Sequence, residues 1–581
     1  MNKFLPTTAK EVKILGWDYI DVILISGDAY IDHPSFGIAI IARVLENAGF
    51  RVAIIPQPNW QDDLRDFKRF GEPRLFFGVS AGNMDSMVNH YTAAKRLRSD
   101  DAYTPGGKAG FRPDYATITY SKILKNIYPN ALVILGGIEA SMRRFAHYDY
   151  WQDQVISSIL ELSTADLLVY GMGEKAILEI AKKLNANANN YSPIQIYNCF
   201  NLKQIAYLSD NKDFKKDDLV LHSFKDIKNN KTKYAENFLE IEAHSNKLSC
   251  NRIIQDLENH RLIVNPPYPI LSETELDSIY DLYFTRKPHP RYKKKEKIPA
   301  FEMIKDSVTI HRGCFGGCSF CTIAAHQGKK IISRSQKSIL TELEKIKNDS
   351  DFKGHISDLG GPSANMYKMT GKNIDLCNLC SKPSCIFPKI CNNLNSSHSE
   401  LYNLYLKALE IKGIKKITIG SGIRYDLILN KSDKENDKIN SLYAELLISK
   451  FVSGKLKVAP EHVSKKILNL IRKPDFEKFK HFEKLFKKIN EKFDLKQLLI
   501  PYFISCHPGC EETDMLKLAN ETKKMGYKLE QVQIFTPTPM TLATTMYHTE
   551  INPYTKEKIF VAKTKQEKQN QQKYFFWYKN D

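Results

Sequence analysis

Short apolar runs that stop at glycine and give way to a helical pattern recur along this chain, and that rhythm limits the fold more than any other feature. Asp21–Ser26 (DVILIS) runs into Gly27, and Gly37–Gly49 then carries helical apolar spacing to a closing glycine. Arg51–Ile55, Leu75–Val79 and Leu132–Leu135 follow, the last ending in Gly136-Gly137. Leu167–Tyr170 ends in Gly171, before a helix over Glu174–Leu184. Strands that stop at glycine before helices build a doubly wound parallel α/β sheet, with ligands at the strand ends. Residues 1–200 are therefore read as an N-terminal α/β domain.

Residues 201–300 break the rhythm. They are rich in lysine and asparagine, turn at Asn265-Pro266-Pro267 and end in the basic stretch His289–Lys295. They read as a connecting segment with insertions rather than a unit with its own chemistry. From 301 the alternation resumes, with strands expected at Ser307–His311, His355–Leu359, Lys416–Ile419, Leu456–Ala459, Leu498–Phe503 and Gln531–Phe535. Six such units over 301–550 suit a partial (βα)6 barrel that works at its strand C-termini. Residues 551–581 form a polar tail with the aromatic patch Tyr574–Tyr578, read as a terminal helix or partly disordered.

The chain has 85 basic and 66 acidic residues in 581, a net charge of +19, yet only 18 of the basic residues are arginine. Arginine is the better bidentate reader of phosphate, so a chain shaped chiefly for nucleic acid should hold more of it. Hydrophobic residues at 42% and charged at 26% are globular values, and no apolar run is long enough to span a bilayer. The start, MNKFLPTTAKEVKILGW, lacks the apolar core of a signal peptide, so the expected location is the cytoplasm.

Eleven cysteines are unevenly placed, seven of them between 314 and 391. Without a secretory signal, such clusters point to metal or redox ligands rather than disulfides. Cys314-x3-Cys318-x2-Cys321 follows the first expected barrel strand. Soft thiolates on a short glycine-bearing loop suit an iron–sulfur cubane, and three ligands leave one iron open to a reactant. S-adenosylmethionine can chelate that iron through its amino and carboxylate groups. An electron from the reduced cluster then splits the sulfonium C–S bond, giving methionine and a 5′-deoxyadenosyl radical. The competing reading is a zinc knot completed by His311 or His326.

A second set, Cys377-x2-Cys380-x4-Cys385-x5-Cys391, forms a Cys-rich insertion at 377–391. Four closely spaced thiols suit structural zinc or an auxiliary iron–sulfur cluster, and spacing does not separate the two. Cys506 and Cys510, which flank His507-Pro508-Gly509, stay unassigned.

Further blocks lie along the whole chain: Gly27–Tyr30, Asp32–Gly37, Gly136–Ser141, His326-Gln327-Gly328, Ser333-Arg334-Ser335, Asp358–Pro362, Ser421–Asp426, Val458–His462 and Phe535–Met540. With the cysteine triad they resemble the YgiQ-type family of radical S-adenosylmethionine (radical SAM) proteins. The resemblance implies a [4Fe–4S] cluster on Cys314, Cys318 and Cys321 and S-adenosylmethionine as its reactant. Phe320 resembles the aromatic that lies against the adenine in relatives, although a core aromatic would look the same. Gly360-Gly361 is similar in place to the Gly-Gly-Glu that meets the S-adenosylmethionine amino group, but here Pro362 replaces the acid. That contact must then come from backbone or elsewhere. Ser421 and Arg424 follow a strand, where they could reach the carboxylate or ribose, or simply form a βα turn.

An α/β domain ahead of such a barrel is similar to the cobalamin-binding arrangement. Domains that ligate cobalt through histidine carry Asp-x-His-x-x-Gly. Here Asp32 and His33 are adjacent and Gly37 is four residues past the histidine. The domain either holds a corrinoid without a protein ligand or keeps the fold without the cofactor, and the second reading, no cobalamin, is preferred. His147, within Arg143–Asp149, is a candidate for a substrate-facing cluster or a buried polar patch.

These features point to an enzyme whose radical abstracts hydrogen from an unknown substrate. Ile500–Glu512 followed by Thr536–Pro539 is similar to barrels that methylthiolate tRNA, which makes RNA the specific substrate candidate. The expected redox partner is a small electron donor such as flavodoxin or ferredoxin. The alternative is a non-catalytic iron–sulfur protein for electron transfer or cluster delivery, which has no use for six strand-end loops.

Overall fold

The computed structural model describes residues 4–186, 193–210, 214–431, 433–530 and 532–579. Its first half is built on nine strands: β1 Val22–Ser26, β2 Val52–Pro56, β3 Phe76–Ser80, β4 Val133–Leu135, β5 Leu167–Val169, β6 Ile205–Ser209, β7 Leu219–Val220, β8 Ile253–Asp256 and β9 Arg261–Val264. They lie in the order β7-β8-β9-β6-β5-β4-β3-β1-β2. Strands β2, β1, β3, β4 and β5 are parallel, with Val22 beside both Val52 and Phe76, Phe77 beside Val133, and Ile134 beside Leu167. This order places a topological switch point between β1 and β3, where a crevice opens beyond the strand ends.

Both faces of that parallel core are covered. Val22, Leu24, Val52 and Ile54 pack with Ala39, Ala42 and Leu45 of the helix Gly37–Asn47. Ile23, Ile25, Ala53 and Ile55 face the other way, toward Ala116, Tyr120 and Leu124 of the helix Ala116–Ile127. Burial on two sides is why these strands read as unbroken apolar runs.

Residues 201–300, expected as a connection, complete this sheet instead. β6 runs antiparallel to β5, β9 to β6 and β8 to β9, while β7 joins parallel to β8. The helix Lys231–Asn246 leaves the sheet and packs on the helix Leu542–Thr549 from the second half of the chain.

The second half holds the six expected barrel strands: β10 Ser307–Thr309, β11 Asp358–Gly360, β12 Lys416–Ile417, β13 Lys455–Glu461, β14 Leu498–Ser505 and β15 Val532–Ile534. β10 pairs parallel with β11, and β13, β14 and β15 pair in series. His355–Ile356, just ahead of β11, pairs with β12. Residue 531, at the head of the last expected strand, lies outside the described residues. The tail is ordered as the helix Lys565–Lys573, started by a Thr564–Glu567 capping box. Its Gln571 side chain accepts the Cys506 amide at 2.8 Å and donates to the Cys510 carbonyl at 2.6 Å. No described helix is long and apolar enough to cross a membrane.

Candidate cofactor site at the junction of sheet and barrel

β10 feeds His311–Arg312, which pairs antiparallel with Ile332–Ser333 and so forces the intervening chain into a tight loop. That loop carries Cys314, Cys318 and Cys321, all half-buried and none in a disulfide. It is pinned from several sides. The Cys314 amide donates to the Gly328 carbonyl at 3.1 Å, and the Ser319 amide to the Ile471 carbonyl at 3.0 Å. The Ser319 hydroxyl meets His507 Nε2 at 2.9 Å. Gly317 has φ +62, and a Cβ there would stand 2.3 Å from the Pro383 carbonyl oxygen, so only glycine fits.

Positive charge faces the sulfurs. Arg424 Nη1 lies 3.7 Å from Cys318 Sγ, while its Nε and Nη2 each reach an Asp426 oxygen at 2.8 Å. The Gly316 amide donates to Cys314 Sγ at 3.4 Å. Burial pushes the Cys321 thiol up to about 12 and raises Cys314 too, so ionisation here calls for cations beside the sulfurs. Among the described residues, no three His, Cys, Asp or Glu side chains converge on one metal-ion position. His311 and His326 both line a neighbouring cavity.

That cavity, about 570 Å³, lies between the strand ends of the sheet and the inner wall of the barrel. The sheet contributes Ser80, Gly82, Gly136 and Gly137; the barrel contributes Thr309, His311, Asp358 and Ser421. The helix Ile323–Gln327, directly after Cys321, presents Ile323, His326 and Gln327 to it. Arg312 and Glu174 pair across the junction at 2.7 Å, with Tyr280 Oη on Arg312 Nε at 3.0 Å.

The expected site residues divide into three groups. Gly360, Gly361 and Ser421 line the chamber. Arg424 serves the cysteine loop instead. Phe320 is half-buried against the main apolar core and does not line the chamber, so the structure favours its reading as a core aromatic. A Cβ at Gly361 would meet the His311 ring at 2.6 Å, which explains glycine there. Ser421 is already engaged: its hydroxyl donates to Asp358 Oδ2, and its amide and that of Gly420 donate to Asp358 Oδ1 at 3.2 and 2.9 Å.

Asp358, His311 and His326 are chamber residues that the sequence reading did not single out as chamber ligands. Burial raises the Asp358 carboxyl above its usual range. It also drives His311 down to about 3 and His326 down to about 4, so both rings are neutral. His326 Nδ1 is buried without a partner, while His311 has the Ser363 backbone beside its ring. The sequence marked His326 and Asp358 by their blocks and His311 as a zinc candidate.

The Asp32–Gly37 loop does not fit a histidine-ligated corrinoid. Asp32 is held by Arg43 Nε at 3.0 Å and the Thr285 amide at 2.9 Å. His33 is buried, accepts the Ser35 amide on Nδ1 at 3.0 Å, and does not line the chamber. His147 is likewise a buried polar residue, its Nδ1 on the Phe145 carbonyl at 2.9 Å, and it is absent from the chamber wall. Cys506 and Cys510 are buried and unpaired, with Cys510 Sγ 3.7 Å from His462 Nε2.

A family model described as Radical SAM N-terminal matches residues 4–307, and one described as a domain of unknown function (DUF3362) matches residues 530–581. A UPF0313 protein of Bacteroides thetaiotaomicron is 56% identical over 100% of this chain and 94% of its own length. One of Porphyromonas gingivalis is 54% identical over 100% of this chain and 91% of its own length. Among solved structures, the radical S-adenosylmethionine methyltransferase TsrM of Kitasatospora setae, with cobalamin and a [4Fe-4S] cluster bound, superposes with a TM-score of 0.50. It is 13% identical, with 90% of this chain and 74% of that one covered, a likeness of fold alone. Sheet, barrel, cysteine loop and full-length relatives agree: the chain belongs to the UPF0313 family of radical SAM proteins.

Proposed function

We propose that the protein is a radical SAM enzyme that acts on a substrate held in the chamber between sheet and barrel. The observation that carries this is the Cys314–Cys318–Cys321 loop, braced by Arg424, whose following helix opens onto a chamber floored by Gly360-Gly361. A [4Fe–4S] cluster on those thiolates, given one electron by a low-potential donor of the flavodoxin or ferredoxin kind, would cleave S-adenosylmethionine to methionine and a 5′-deoxyadenosyl radical that takes hydrogen from the substrate. The chain's own residues orient and exclude. Gly361 makes room for the His311 ring in the chamber wall. Neutral His326 offers a ring nitrogen, and Asp358 fixes the Ser421 turn. The Arg312–Glu174 pair closes the junction against water.

The test is anaerobic. Protein reconstituted with iron and sulfide, reduced and given S-adenosylmethionine should form 5′-deoxyadenosine, and Cys318→Ala should abolish it. A fully loaded wild type that forms none with a strong reductant would return the protein to the class of iron–sulfur carriers. The same assay with hydroxocobalamin addresses the second half of the chamber. Cobalamin retained one per chain through gel filtration would overturn the reading that the domain keeps the fold without that cofactor.

A further inference from the structure

The four cysteines of the 377–391 insertion play no part in the reaction just described, yet the chain seats them against the loop that does. The Cys385 amide donates to the Phe315 carbonyl at 3.0 Å, and the Ser384 hydroxyl reaches the same oxygen at 3.3 Å. Pro383 is the residue that requires glycine at 317. Cys314 and Cys385 pack on one small apolar cluster of Phe315, Met366, Ile386 and Leu427. The insertion is therefore a wall of the first cysteine site, not a loose excursion.

Within the insertion the thiols are organised. The Cys380 amide donates to the Cys377 carbonyl at 3.3 Å and the Cys391 amide to the Cys385 carbonyl at 2.8 Å, which folds the two halves of the loop back on themselves. Donors face the sulfurs: Asn393 Nδ2 lies 3.3 Å from Cys377 Sγ and Lys329 Nζ 3.8 Å from Cys380 Sγ. Lys329 is only 3% exposed, and its ammonium also donates to the Lys382 carbonyl within the insertion. A buried ammonium among thiols without a carboxylate is a counter-charge in search of thiolates. None of the four is in a disulfide. A single zinc with sulfurs at about 2.3 Å would draw the thiols together. Zinc and an iron–sulfur cluster then differ in the metal the site retains, which the count below reads.

We infer that Cys377, Cys380, Cys385 and Cys391 bind a second, fully ligated iron–sulfur cluster, with Lys329 as the charge that sets its potential. The inference depends on these four thiols and Lys329 alone and stands whether or not the first site cleaves S-adenosylmethionine.

Iron and acid-labile sulfide are counted per chain after anaerobic reconstitution in a medium that also contains zinc. Wild type should hold about eight of each, two cubanes, and Cys380→Ser/Cys385→Ser about four. Cys314→Ser/Cys318→Ser/Cys321→Ser should keep about four, together with an electron paramagnetic resonance signal in the reduced protein. Lys329→Gln should lower the midpoint potential of that signal, and Lys329→Arg should keep it. Wild type saturating at about four iron overturns the inference with no variant needed, and so does one zinc per chain in wild type that Cys380→Ser/Cys385→Ser loses. A triad variant that cleaves no S-adenosylmethionine but keeps its iron separates this site from the first.

Discussion

One methyl group at residue 361 tests the chamber wall. His311 is fully buried at the end of a barrel strand, and its ring stands where an alanine Cβ would fall. Gly361→Ala should therefore cost about 1–3 kcal/mol by overpacking, read as a lowered urea midpoint. A midpoint equal to wild type would mean that the ring can turn away and that the wall is soft. The Cys314–Cys318–Cys321 spacing was legible because residue type and interval alone mark a candidate thiolate site, and the fold carries all three on one loop. His326 and Asp358 lie in blocks the sequence picked out, and His311 was weighed as a zinc ligand, but that all three share one chamber shows only in the fold. Arg424 was singled out by its position alone. Its place after a strand suggested a contact to S-adenosylmethionine, whereas its guanidinium turns to Cys318 and Asp426.

The Lys565–Lys573 helix makes a corresponding test at the level of elements. Gln571 satisfies a buried amide and a buried carbonyl of the loop after β14. Gln571→Ala leaves both unpaired, at about 1–3 kcal/mol each, and should speed hydrogen exchange at the Cys506 amide. Exchange unchanged there would show that water or a neighbour takes the place of the side chain. The glycine-ended strands were readable because two-sided burial makes them continuous apolar runs. The strands β6 to β9 were missed for the opposite reason. β8 and β9 have four residues each, set in lysine- and asparagine-rich sequence, and the pairing of β9 with β6 joins positions more than fifty residues apart. Nothing local announces such a pairing. The tail was half legible: its capping box signals a helix, but its single buried glutamine carries no pattern.

The whole molecule carries an acid liability. Burial holds His147, His398, His507 and His548 down to about 4 and His462 down to about 3, so all five are neutral in the fold. The unfolded chain protonates histidine near 6.5 and so binds more protons than the fold below that value. Their contribution is complete above about 6.5 and is lost as pH falls toward about 4, at up to about 1.4 kcal/mol per group and pH unit. The urea midpoint of the metal-free protein should drop steeply between about pH 7 and pH 5. A flat profile would mean that the rings are protonated in place with water beside them.

The Gln571 contacts also have a consequence in time. His507, which braces Ser319 of the cysteine loop, lies between the two residues that Gln571 ties down. During synthesis the loop around Cys510 is made 61 residues before Gln571. At about 5–20 residues per second that interval is roughly 3–12 s. Throughout it the cysteine loop already exists while the rim above it is still unlatched.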